Sequence, residues 1–122
     1  MELKEYRLEV SRSLADLHDE ERNNLHMILG MVTEVAELAD VYKKNMAYGK
    51  PLDLVNVQEE LGDLFFYIVN FSILNNFDLE KILQVNIDKL KARYPEKFTQ
   101  EKAIKRDLAK ERQILEELGY RD

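Results

Sequence analysis

The sequence predicts an all-α protein, and three observations predict it. Only two prolines and four glycines punctuate 122 residues. Apolar residues recur at helical spacing through nearly all the rest. No segment repeats at a fixed period or is of low complexity, so neither a solenoid nor a linker is expected. The chain is long enough to bury a core of its own. One domain over residues 1–122 is therefore expected, a bundle of about five helices with its core over 21–98 and a charged C-terminal helix over 99–119.

Leu3, Tyr6, Val10, Leu14 and Leu17 step by threes and fours, which predicts a first amphipathic helix ending near Asp19-Glu20-Glu21. A second runs from about Glu21 to Met46 and is closed by Gly49 and Pro51. Asp53 caps a third that continues to Asn75 or Asn76. Asp78 caps a fourth, which Pro95 stops because the residue before a proline is driven out of helical geometry. Thr99 caps a fifth, highly charged helix that ends at Gly119.

The third helix carries Leu64, Phe65, Phe66, Ile68, Val69, Phe71, Ile73 and Leu74 around its whole circumference. A helix that is apolar on every side must be covered on every side. Four neighbours from one short chain hardly suffice, so a homodimer or homotetramer sharing this helix is expected.

A composition of 45% hydrophobic and 34% charged residues is that of an ordinary globular protein. A net charge of −6 argues against nucleic acid, whose phosphates call for basic residues. The absence of cysteine excludes disulfides and thiolate chemistry. Met1-Glu2-Leu3-Lys4-Glu5 has neither the basic start nor the apolar stretch of a signal peptide. The longest apolar run, Leu64 to Leu74, is broken by Asn70 and Ser72 and falls short of the ~20 residues of a membrane span. A cytoplasmic protein without a membrane or nucleic-acid partner is expected.

Four carboxylates carry the chemistry. Glu34 with Glu37, and Glu60 with Asp63, are two pairs at a spacing of three, about 60° of arc and one turn of helix. Each pair interrupts an apolar stripe: Met27, Gly30, Met31, Leu38 and Val41 flank the first, and Val57, Leu64, Tyr67, Phe71 and Leu74 the second. Burying such anions without counter-charge costs several kcal/mol apiece, so a cation or protons must neutralise them. Oxygen ligands without a nearby His or Cys suit Mg²⁺ or Mn²⁺. A buried network with lysines and arginines is the competing arrangement. A di-iron centre would want Glu-x-x-His, whereas Ala15 and Asn23 stand three residues before His18 and His26.

On the fourth helix Asn86, Lys89 and Arg93 share a stripe with Leu79, Ile82, Leu83 and Leu90. Cations on an inward stripe suit a bound polyphosphate or, alternatively, salt bridges to the same carboxylates. Lys43, Lys44 and Lys50 lie near the turn after the second helix, within reach of phosphate or of solvent. Tyr67 stands one turn after Asp63, as a platform for a base or sugar or as a core tyrosine.

Thr33-Glu34-Val35-Ala36-Glu37 followed by Glu59-Glu60-Leu61-Gly62-Asp63 resembles the MazG nucleotide pyrophosphohydrolases of the all-α nucleoside triphosphate pyrophosphatase superfamily. Asn86 to Pro95 and the connector Tyr48-Gly49-Lys50-Pro51-Leu52-Asp53 are similar to family segments, so the resemblance spans roughly Leu25 to Phe98. It implies that Glu34, Glu37, Glu60 and Asp63 coordinate Mg²⁺, that Lys89 and Arg93 contact phosphates with help from Asn86, and that a nucleoside triphosphate is cut between its α and β phosphates. Many members have a Glu where this chain has Thr33. The rival reading is a catalytically idle helical dimer that binds a nucleotide or a protein partner.

Overall fold

The computed structural model describes residues 1–117, and among them every regular element is a helix. Two compact units divide the chain, Met1–Phe77 and a second beginning at Asp78. The first holds α1 (Leu3–Ser11), α2 (Glu20–Tyr48) and α3 (Leu54–Leu74); the second holds α4 (Leu79–Arg93), α5 (Gln100–Ile104) and α6 (Leu108–Glu117).

In the first unit α1 stops at Ser11, well before the acidic cluster where periodicity predicts its end. Local side-chain hydrogen bonds outcompete the helix there. Asp16 accepts from the backbone N–H of His18 at 2.8 Å and from Asn23 Nδ2 at 3.2 Å, and Asn23 Oδ1 accepts from Leu17 N–H at 2.8 Å. His18 is thereby held in the left-handed region, with φ 57°. Asp19 then caps α2 by accepting from Arg22 N–H at 2.8 Å.

α2 runs past Met46 to Tyr48 and ends on Gly49, whose φ of 66° lets Lys50 N–H turn back onto the Lys44 carbonyl at 3.2 Å. Asp53 accepts from Val55 and Asn56 N–H, both at 3.1 Å, and starts α3. The two long helices pack antiparallel along their length. Asn75 Nδ2 donates to Asn24 Oδ1 at 2.6 Å at one end, while Val41 and Asn56 line one cavity near the other. Between these ends Gly30 lies against the Tyr67 ring so closely that a Cβ would run into it. Met27 and Val69 form the fully buried centre. Asn70 ties α1 to α3, its Nδ2 shared between Phe66 O at 3.1 Å and Val10 O at 3.4 Å.

In the second unit Asp78 caps α4 through Lys81 N–H at 3.1 Å, and the helix ends at Arg93, just before Tyr94-Pro95, as predicted. The expected fifth helix is two helices. Thr99 starts α5 by accepting from Lys102 N–H at 3.2 Å, but Asp107 captures Lys110 N–H at 3.0 Å and restarts the chain as α6. An acidic side chain that can cap competes with continuing the helix through it. The predicted end at Gly119 lies outside the described residues. α6 packs on α4. Among the described residues no helix is long and apolar enough to cross a membrane.

Candidate metal centre

The α2–α3 hairpin brings three of the four carboxylates together. Glu34 and Glu37 sit one turn apart on α2, Glu60 comes from α3, and one oxygen from each lies within 4.8 Å of the others. The cluster is graded in depth. Glu60 is only 6% exposed, Glu34 is half-buried and Glu37 is open to solvent. Depth decides against ordinary surface charge, because carboxylates are almost never this buried without a partner.

No basic partner is present inside the first unit. Its ion pairs are Arg12–Glu9, Lys43–Asp40 and Lys44–Asp40, His18 lies beside Asp16, and none of these touches the three carboxylates. Glu34 Oε2 and Glu60 Oε2 are both buried without a hydrogen-bond donor among the described residues. Contact with the Glu34 carboxylate, then burial, then contact with Glu37 push the Glu60 carboxyl up to about 7. Close, unneutralised acceptors of this kind fit a hard divalent cation, which would replace the shared proton.

Asp63 stands one turn beyond Glu60 and outside the 4.8 Å group, with its side chain exposed. Its charge is felt by Tyr6 of α1, whose phenol is raised by burial first and by Asp63 second. Tyr67 faces α2, packed on Gly30 and edge-on to His26 with ring centroids 6.3 Å apart. His26 Nδ1 is buried without a partner. Lys44 is paired with Asp40 at 2.8 Å, which holds that aspartate below the usual carboxylate range, and it lines a cavity of about 280 Å³ with Lys50, Pro51 and Asp53.

The phosphate-contact candidates of α4 belong to the second unit. Asn86 is exposed and Lys89 half-buried. Arg93 donates from Nε to Glu111 at 2.6 Å, and Arg106 donates to the other oxygen of Glu111 at 2.8 Å. Those two guanidinium contacts pull the buried Glu111 carboxyl down to about 2. The spacing of α4 shows Arg93 but not this partner, because Glu111 is eighteen residues on and meets Arg93 only through the α4–α6 packing.

One neighbour escapes the motif reading. Asn56, one turn before Glu60, directs its amide at Glu60 Oε1, 3.1 Å away, and Glu59 Oε2, 3.2 Å away. The amide is assigned with its nitrogen toward those carboxylates, because an amide oxygen there would face acceptors. The i, i+4 spacing to Glu60 was the available signal.

A helical hairpin that gathers Glu34, Glu37 and Glu60 across its seam defines a helical bundle with a candidate metal site. Residues 22–98 match the model of the MazG nucleotide pyrophosphohydrolase domain, well over half the chain, and the protein belongs to that family. Comparison with curated proteins and with solved structures finds no match to either.

Proposed function

We propose that this protein is a Mg²⁺-dependent nucleoside triphosphate pyrophosphohydrolase that cleaves a triphosphate between its α and β phosphates to a monophosphate and pyrophosphate. Family membership supports the class of reaction. The observation that carries the metal dependence is the Glu34–Glu37–Glu60 cluster, with its two buried oxygens that no donor reaches. These residues hold the cation, with Asp63 completing the set from the next turn of α3. A divalent cation bound there supplies Lewis-acid polarisation of phosphate oxygens and acidifies water.

Glu37 is the most open of the three, so we assign it to accept the proton of the attacking water. The water oxygen forms the new bond to phosphorus as the α–β bridging bond breaks. On α4, the likeness of Asn86 to Pro95 to family segments supports Lys89 and Asn86 as phosphate contacts. Arg93 is a third on the same ground, with its terminal amino groups as the donors because its Nε is occupied by Glu111. In the first unit Tyr67 and Lys44 are the substrate contacts. Phe65 and Leu61 of α3, 54% and 44% exposed, are the apolar surface that a second copy covers in a homodimer or homotetramer.

The test is pyrophosphate release from a panel of ribo- and deoxyribonucleoside triphosphates with Mg²⁺ or Mn²⁺, then with EDTA. Metal-dependent release that Glu60→Gln abolishes is expected. No release from any member of the panel, with Mg²⁺ bound, would refute the reading.

A further inference from the structure

Resting on the metal-site reading above, the geometry points to Asn56 as a positioning residue that locks the Glu60 carboxylate in its ligating orientation. The two oxygens of Glu60 have different surroundings. With the Asn56 amide so assigned, Oε1 takes its N–H at 3.1 Å, whereas Oε2 is buried with no donor among the described residues. A carboxylate anchored through one oxygen presents the other in a fixed direction. Glu60 therefore reaches its neighbours on α2 without having to be ordered when a cation arrives.

The anchor is itself held. Asn56 occupies the first turn of α3, and its backbone N–H is fixed at 3.1 Å by the Asp53 cap. Its side chain is half-buried at the wall of the cavity shared with Val41, Lys44, Lys50, Pro51 and Asp53. The same amide restrains Glu59 at 3.2 Å, so one donor orients two adjacent carboxylates differently. Glu59 is kept on the exposed side while Glu60 turns into the seam. Only an uncharged donor serves here. A lysine at 56 would neutralise Glu60 and compete with the cation, and an aspartate would repel it. Partners of this kind commonly set ligand orientation, and their loss weakens metal binding by about 10- to 100-fold.

The test is Mn²⁺ affinity, read from the free-ion paramagnetic resonance signal, for the wild type, Asn56→Ala and Glu60→Gln, with thermal melting of each in EDTA. Expected is clear binding by the wild type, loss in Glu60→Gln, and a dissociation constant raised about 10- to 100-fold in Asn56→Ala while its metal-free melting temperature stays near that of the wild type. Wild-type affinity in Asn56→Ala, with Glu60→Gln inactive in binding, would overturn the role of Asn56 and leave the metal site standing. No Mn²⁺ uptake by the wild type would overturn the metal reading and this inference together. Should Asn56→Ala fold poorly, the near-isosteric Asn56→Asp replaces it: weaker binding despite an added negative charge is expected, and equal or tighter binding would overturn the role.

Discussion

Glu34 and Glu60, on opposite helices, each keep one carboxylate oxygen buried and without a donor among the described residues. Carboxylates brought this close repel unless a proton or a cation lies between them. That relationship ties stability, pH and metal uptake into one equilibrium.

Without metal, the raised Glu60 carboxyl makes the folded state bind a proton that the unfolded chain has released. Its contribution is full below about 4.5, the ordinary glutamate value, and is lost as pH rises through about 7. Melting temperature in EDTA should therefore fall across that window, and saturating Mg²⁺ should reverse the fall by binding the folded state. Glu60→Gln should flatten both effects. Buffer-dependent calorimetric heats should show protons released on metal binding below pH ~7; identical heats in buffers of different ionisation enthalpy would contradict the shared proton.

On the proposed reading, replacing one carboxylate of the cluster should cost activity without costing the fold. Glu34→Gln and Glu60→Gln should each lower kcat/KM by roughly 100-fold or more, the upper end of what losing even a supporting group costs, with helicity by circular dichroism unchanged. Glu37→Gln should lower kcat more than it raises KM, as expected of a proton acceptor.

Gly30→Ala measures the closeness of the two helices. In an exposed helix this change would stabilise by about 1 kcal/mol. Here the new methyl meets the Tyr67 ring, so destabilisation by about 1–3 kcal/mol is expected in urea unfolding. Tyr67→Ala in the same chain should recover much of it, a coupling that a double-mutant cycle reads directly.

In the second unit, Glu111→Ala should lower the urea midpoint far more than Glu116→Ala. Glu111 is buried between Arg93 and Arg106, whereas Glu116 meets Arg112 in solvent. Because Glu111 is depressed to about 2, its stabilisation is present above about 4.5 and is lost as pH falls toward about 2. Similar midpoints for the two variants would remove the distinction.

Three helix starts were legible because each is written in one capping residue: Asp53, Asp78 and Thr99 act as the sequence implies. Where two local solutions compete, periodicity was a poor guide. Leu14 and Leu17 continue the first stripe, yet the Asp16–Asn23 hydrogen bonds end α1 at Ser11, and Asp107 divides the last helix in the same way. The carboxylate spacing on α2 singled out Glu34 and Glu37, which the hairpin brings within 4.8 Å of Glu60. Spacing on one helix is silent about the partner helix, and so about the depth of Glu60, the closeness of Gly30 to Tyr67 and the Arg93–Glu111 pair. Those depend on the axial register between elements.

That register makes the centre a question of helical phase. Gly30, Glu34 and Glu37 lie on one continuous stretch of α2, so the seat on Tyr67 and the carboxylates opposite Glu60 cannot be adjusted independently. A single alanine inserted between Gly30 and Glu34 would rotate the acidic pair by about 100° and shift it by about 1.5 Å relative to that seat. Metal binding should vanish. The same alanine added to the connector after Gly49 leaves both helices in phase, and metal binding should survive it. The hairpin thus behaves like a key cut on two blades: its loop can vary in length, while the stretch from the glycine to the last glutamate admits no change in spacing.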